Sequence, residues 1–96
     1  MAVIQSSSEA MSTLTSAVGF TTLPSRTQAA RISVTGAGRI RYRDDGGTPT
    51  ASVGHPITQY QYFWIIGRQQ LENFRVIEEA TSALYVTYFD NVNDVG

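Results

Sequence analysis

The stretch RIRYRDDGGTPTASVG, residues 39–54, holds the residues of this chain whose types and spacing could do chemistry. Three arginines alternate with Ile40 and Tyr42, and Asp44 and Asp45 follow directly, ahead of a glycine-rich loop. Arginines in such a row can bind phosphate or carboxylate groups through paired N–H donors. The stretch could therefore be a phosphate loop, a metal site, a nucleic-acid-binding strand, or a hairpin whose charges pair with carboxylates.

The segment DDGGTPT, residues 44–50, is typical of a hairpin turn. A phosphate-binding loop would end in GK[ST] and run into a helix, and neither signal follows here. The alternating acidic ladder of a calcium loop is also missing, because Asp44 and Asp45 are direct neighbours. Asp-Gly supplies the positive-φ positions of a turn, and Thr48-Pro49 stiffens its exit. We expect no cofactor and no metal; calcium held by the two aspartates and carbonyl groups stays an alternative.

The polar residues of the chain support no enzyme class. His55 is the single histidine, cysteine is absent, and no G-x-S-x-G elbow frames a serine. The paired carboxylates, Asp44-Asp45 and Glu78-Glu79, are sequence neighbours. Neighbours on a strand point to opposite faces, which is wrong for sharing a proton. We therefore expect a protein without catalytic residues.

The alternating strand carries three basic side chains on one face: Arg39, Arg41 and Arg43. They could bind nucleic acid with Trp64 as a stacking platform, but Tyr42 points away from them and the formal net charge is −1. We favour pairing with carboxylates of this chain or of a neighbour. The candidate carboxylates are Asp44, Asp45 and Glu72. No nucleic-acid binding is predicted.

The composition indicates one small globular domain that makes protein contacts. Of its 96 residues 42% are hydrophobic and only 16% charged, so Ser, Thr, Gln and Gly must cover much of the surface. All seven basic residues are arginine, which tolerates interfaces better than lysine. No apolar run approaches the roughly 20 residues of a membrane span, and the first residues lack a signal-peptide pattern. We expect a soluble protein made in the cytoplasm and not bound to membranes.

Most of the chain has the two-residue periodicity of β-strands. Strands are predicted over residues 17–23, 28–35, 39–43, 60–66, 74–78 and 83–89. A single helical turn is predicted over 69–73. Residues 1–15 are Ser/Thr-rich and are predicted to be a short extended arm that orders against a neighbour, with a helix over 8–14 as the alternative. The predicted fold is all-β: a small antiparallel, jelly-roll-like β-sandwich of residues 16–96 behind that arm.

The predicted strand 60–66 is apolar or aromatic on both faces. Tyr60, Tyr62, Trp64 and Ile66 share one face, and the odd-numbered residues lie on the other. Such a strand is either central in a sandwich or covered by another chain. A core role is the plain interpretation. Tyr60, Tyr62 and Tyr85 are also candidate surface anchors for another protein.

Three segments resemble a group of small virion structural proteins of tailed bacteriophages. They are ARISVTGAGRIRYRDDGGTPTASVGHPI (30–57), NFRVI (73–77) and ALYVTYF (83–89). In that group a short β-sandwich carries a core similar to I-R-Y-R-x-D-G-x-x-P-T, an F-R-x-I strand and a terminal L-x-V-x-Y-[FY] strand. The resemblance extends over residues 18–89, and its arginine-rich core is the most specific part.

The resemblance implies a capsid decoration (cement) protein on the outer surface of the virion. Such a protein would bridge subunits of the major capsid protein as a homo-oligomer, and we expect a trimer. Its arginines would pair with capsid carboxylates, its aromatic residues would anchor it, and residues 1–15 would order on binding. The predicted partner-binding residues are Arg39, Arg41, Arg43, Asp44, Asp45, Tyr60, Tyr62 and Trp64. The alternatives are a neck, tail or fibre-base component of the virion, or a carbohydrate- or nucleic-acid-binding module.

Overall fold

The computed structural model describes the backbone of residues 2–92 and the side chains of residues 7–90. Its strands are β1 (Ala2–Met11), β2 (Thr27–Val34), β3 (Ile40–Arg43), β4 (His55–Ile57), β5 (Tyr62–Ile66), β6 (Arg75–Glu78) and β7 (Leu84–Val92). One helical turn and a half, α1 (Arg68–Asn73), separates β5 from β6. Within the described residues, no helix is long and apolar enough to cross a membrane.

The strands form two antiparallel sheets. Sheet A has the order β1-β7-β2-β5, and sheet B has the order β4-β3-β6. Every pairing between these strands is antiparallel. The prediction of a small, antiparallel all-β domain is therefore confirmed, whereas a jelly-roll topology is not confirmed by this strand order.

The hydrophobic core lies between the two sheets, as strand alternation requires. The two central strands of sheet A direct alternate residues inward: Ala30, Ile32, Val34, Leu84, Val86 and Tyr88. From sheet B, Ile40 and Val76 are fully buried against them. The predicted strands 28–35, 39–43 and 74–78 and the helical turn are thus confirmed within one residue, and the predicted strand 83–89 within three.

An aromatic cluster around Phe74 connects the sheets. Phe74 is fully buried where α1 ends, and its ring stacks on Phe20 at 4.4 Å between centroids. Tyr42 of sheet B stacks on Phe63 of sheet A at 4.2 Å, and both rings lie near Phe74, at 5.8 and 6.3 Å. The cluster thereby fastens β3, β5 and the loop before β2 to one another.

The prediction of a separate arm over residues 1–15 is wrong for the part that the structure describes. Residues 2–11 form β1, which pairs along β7 from Ala2 opposite Val92 to Met11 opposite Leu84. Met11 and Leu14 are buried. This alternation was not visible in the sequence, because inward positions of β1 are polar: Ser7 and Glu9 lie opposite Tyr88 and Val86, which are buried. The alternative of a helix over 8–14 is also wrong, because residues 8–11 belong to β1.

Two further strand predictions need correction. Residues 17–23 do not form a strand: Val18 alone bridges to Val76, through backbone bonds of 3.0 and 2.8 Å. Residues 55–57 were expected in no strand, yet they form β4 around Pro56. Proline is tolerated there because β4 is an edge strand and needs no donor on its open side.

Candidate interaction surfaces

The predicted partner-binding residues lie on opposite sides of the sandwich. Ile40 and Tyr42 of β3 point into the core, so the arginines between them point outward from sheet B. In β5, Phe63 and Ile65 point inward, so Tyr62 and Trp64 point outward from sheet A. We call these outer surfaces the arginine face and the aromatic face. The two sets of residues are therefore not brought together into one site.

The arginine face consists of four arginines and two carboxylates: Arg39, Arg41, Arg43, Arg75, Asp45 and Glu79. Arg39 donates from Nε and Nη2 to both oxygens of Glu79, at 2.7 and 2.8 Å. Arg41 donates from Nε to the same carboxylate at 2.8 Å and from Nη1 to the Gly54 carbonyl at 3.0 Å. One carboxylate therefore holds two of the three predicted arginines in a fixed arrangement.

The third arginine of the predicted row has a partner of its own. Arg43 donates to both oxygens of Asp45, at 3.1 and 2.8 Å. Carboxylate pairing within the chain is thus confirmed for Asp45. Glu72 is not the partner that was expected, because it pairs with Arg68 at 2.9 Å. Glu79 was missed, since it lies 40 residues from Arg39 along the chain and meets it only through the β3–β6 pairing.

These contacts shift the pKa values of both carboxyl groups. Hydrogen bonds from Arg39, followed by the charges of Arg39 and Arg41, hold the pKa of Glu79 below its ordinary value. The pKa of Asp45 is lowered to about 2, first by the hydrogen bond from Arg43 and then by the Gly47 N–H. Both groups are therefore ionised at neutral pH, and the arginine face keeps a surplus of positive charge.

The loop after β3 behaves as the predicted hairpin turn. It joins β3 to β4 in an antiparallel pair, and Gly46 and Gly54 have φ values of 88° and 133° that favour glycine. The Asp45 carboxylate accepts the Gly47 N–H at 3.0 Å, as in an Asx turn. The pKa of the Tyr42 hydroxyl is raised, first by burial and then by the negative charge of Asp44. Among the residues described, no group of three or more acidic or histidine side chains could hold a metal ion.

The aromatic face is an apolar surface on the outside of sheet A. Its exposed fractions are 65% for Tyr62, 44% for Trp64, 69% for Ile66 and 47% for Tyr85. The Trp64 ring lies 5.2 Å from that of Phe89, and the two border a shallow groove of about 450 Å³ with Ala29 and Ile66. Cross-strand pairing places Arg31 beside Trp64. Among the described residues Arg31 is the single charged side chain on this face.

The sequence predicted part of this face. Tyr62 and Trp64 lie on it, whereas Tyr60 lies in the preceding turn with a φ of 69° and is 84% exposed. Ile66 and Phe89 were not among the predicted partner-binding residues, although the alternation of β5 and β7 already put them on this side. A central position for the 60–66 strand is wrong, because β5 is at the edge of sheet A.

Replacing Glu79 by glutamine is expected to reduce stability at neutral pH and to flatten its acid dependence. Because the folded pKa of Glu79 is lowered, its contribution is complete above about pH 5 and is lost as the pH falls through that lowered pKa. The urea midpoint of the wild-type protein should therefore fall on acidification, and that of Glu79→Gln should start lower and fall less. Circular dichroism at a series of pH values measures both midpoints.

The matched control for this experiment is Glu72→Gln. Glu72 makes an exposed pair with one arginine on α1, a geometry that contributes little to stability. Its variant should follow the wild-type pH curve closely. If Glu79→Gln and the wild-type protein lost stability equally on acidification, the paired arrangement around Glu79 would not be what stabilises the arginine face.

Comparison with protein-family models, curated proteins and solved structures finds no match to this chain.

Proposed function

We propose that this protein is a non-enzymatic structural component of a bacteriophage virion, and specifically a capsid decoration protein. It binds the outer surface of the major capsid shell and bridges neighbouring subunits. The sequence resemblance over residues 18–89 suggests the class of protein. The structural observation that supports an associative role is the aromatic face, an apolar surface on the outside of a four-stranded sheet.

The aromatic face has the composition of a protein-binding surface. Single exposed apolar residues are ordinary, but a contiguous apolar patch with a polar rim is typical of an interaction site. Here Tyr62, Trp64 and Ile66 follow one another along β5 and the Phe89 ring lies against Trp64. Polar Ser33 lies beside Tyr62 and separates it from Tyr85. Tyrosine, tryptophan and arginine are the residues that most often dominate the energy of such interfaces. This face would lie against an apolar area of a capsid subunit.

The arginine face offers the second contact that a bridging protein needs. In the β3–β6 register Arg43 is directly opposite Arg75, so two like charges are neighbours on this surface. Asp45 neutralises Arg43, whereas Arg75 donates from Nη1 to the backbone carbonyls of Glu72 and Phe74. A carboxylate of a capsid subunit would relieve this repulsion. Contacts on two faces, repeated over many copies, would add up through multivalency.

The decisive experiment is binding to purified capsid shells that lack this protein. We expect the protein to sediment with the shells and to saturate at many copies per particle, in proportion to the number of capsid subunits. Saturation at only a few copies per particle would favour the alternative, which is a neck, tail or fibre-base component. No sedimentation with shells or tails would contradict both.

The geometry disfavours a carbohydrate- or nucleic-acid-binding module. Binding a single strand requires arginines that follow the phosphates beside aromatic rings that stack on the bases. Here those groups lie on opposite faces, and Arg39 and Arg41 already bind Glu79. The groove beside Trp64 is lined by apolar side chains, while sugar sites also need placed polar groups. Salt-sensitive binding to single-stranded DNA would be the result that favours this alternative.

A further inference from the structure

Within residues 2–92 the two sheets have four edges, and β5 is the one that these residues leave without protection against pairing. Edge strands are usually shielded by charges, proline, bulges, short length or a covering segment. β1 has a bulge between Gln5 and Ser7, and β4 is three residues long and contains Pro56. β6 is covered by two residues of the preceding segment. Val18 exchanges two backbone hydrogen bonds with Val76, and the Leu14 carbonyl accepts the Glu78 N–H. The sequence of β5, YFWII, has no charge and no proline, and its pairing with β2 shows no register shift.

The unpaired backbone groups of β5 belong to its outward-facing residues. At the two ends of the β2–β5 pair, Gly67 donates to the Gln28 carbonyl and Val34 donates to the Gln61 carbonyl, each at 2.9 Å. Antiparallel pairs alternate between bonded and non-bonded positions, so the odd-numbered residues of β5 bond to β2. The N–H and C=O groups that point to the open edge are those of Tyr62, Trp64 and Ile66.

We propose that the open edge of β5 pairs with β5 of a second copy of this chain. The strands run antiparallel about a two-fold axis at Trp64, so that Trp64 lies opposite its counterpart and Tyr62 lies opposite Ile66 of the other copy. Each of these three residues then both donates and accepts a backbone hydrogen bond. The two four-stranded sheets become one continuous sheet, and the two aromatic faces join on the same side.

The charges of this surface are compatible with a second copy. β5 itself is uncharged, and the nearest charge on the aromatic face is Arg31 on β2. In the paired sheet the two copies of Arg31 are separated by three strand spacings, about 14 Å. That exceeds the roughly 8 Å over which exposed charges interact at physiological salt. Like charges therefore add little cost to the pairing.

The area of the contact predicts a weak dimer. With roughly 200 Å² for an aromatic side chain, the exposed fractions leave about 130 Å² of Tyr62 and about 90 Å² of Trp64 to bury. With Ile66 and the backbone edge, each copy would bury roughly 300–500 Å², against about 800 Å² per partner in a standard interface. We therefore expect a reversible, concentration-dependent dimer. A trimer would need a different surface, because two-fold strand pairing closes after two copies.

Disulfide trapping tests the pairing and its register, since the natural chain has no cysteine. At the two-fold axis the Cα atoms of residue 64 would be about 5.5 Å apart, within the range that a disulfide spans. Mild oxidation of Trp64→Cys should therefore give a covalent dimer on a non-reducing gel. Ile66→Cys alone should not, but its mixture with Tyr62→Cys should give the mixed dimer. Tyr85→Cys, similarly exposed on the central strand β7, is the control.

Sedimentation velocity over a concentration series tests the same pairing without a covalent bond. Ile66→Pro removes a donor that faces the open edge and leaves the β2 ladder intact, so it should stay monomeric. Ile66→Ser loses the same side chain, keeps the N–H, and should still dimerise, more weakly; thermal melts confirm that both variants are folded. Equal trapping of Trp64→Cys and Tyr85→Cys, a dimeric Ile66→Pro, or a wild-type protein that stays monomeric would overturn the proposal. None of these experiments uses capsid shells, so their outcome is independent of the proposed function.

Discussion

Replacing Trp64 by serine is expected to weaken binding to the capsid shell by about 30-fold or more. Trp64 lines the groove of the aromatic face together with Ile66 and Phe89 and is 44% exposed. Truncating a tryptophan at the centre of an interface commonly costs about 2 kcal/mol or more, which is roughly a 30-fold change in affinity. A binding isotherm with purified shells, read by sedimentation, measures the change. The melting temperature should change little, because the side chain is not in the core.

Three control variants separate the faces and the dimer from one another. Tyr85→Ser removes an exposed aromatic residue from the same face but away from the β5 edge, so it should weaken shell binding and leave the dimer intact. Tyr60→Ser changes a residue in the turn outside the face and should have the smaller effect. Arg39→Gln acts on the opposite face. If this last variant alone lost binding, the arginine face would be the main contact and the role of Trp64 would be wrong.

Strand alternation explains why the core could be predicted from the sequence. In β2 and β7 apolar residues recur at every second position. The pattern predicts that these residues point inward, and those such as Ile32 and Val86 are fully buried. The same rule placed the arginines of β3 outside. These predictions are local: each needs only the neighbouring residues of one strand.

The surfaces could not be predicted in the same way, because they depend on how distant strands pair. Alternation puts Arg41 on the face opposite Ile40 and Tyr42, and Trp64 on the face opposite Phe63 and Ile65. Only the strand order puts β5 in sheet A and β3 in sheet B, on opposite sides of the core. The partner of Arg41 is Glu79, which the β3–β6 register brings to it from 38 residues away. β1 was missed because polar residues, Ser7 and Glu9, occupy inward positions of the strand, and because its pairing partner, β7, is at the other end of the chain.

Replacing Phe74 by alanine is expected to destabilise the protein by about 3–5 kcal/mol. Phe74 is fully buried, stacks on Phe20, and lies beside the Tyr42–Phe63 pair that joins the two sheets. Deleting a buried ring removes its transfer free energy and leaves a cavity. A domain of this size has a total stability of only about 5–14 kcal/mol. Urea unfolding followed by circular dichroism should show a large fall in the midpoint.

The matched variant for this test is Phe74→Leu, which keeps most of the buried volume and loses the stacking. It should cost clearly less than Phe74→Ala, because the cavity term is smaller. The difference between the two variants measures how far the surrounding rings can close the gap. Since Phe74 contacts rings from both sheets and from the loop before β2, little collapse is expected. A loss below about 1 kcal/mol for Phe74→Ala would mean that the sandwich is held together elsewhere.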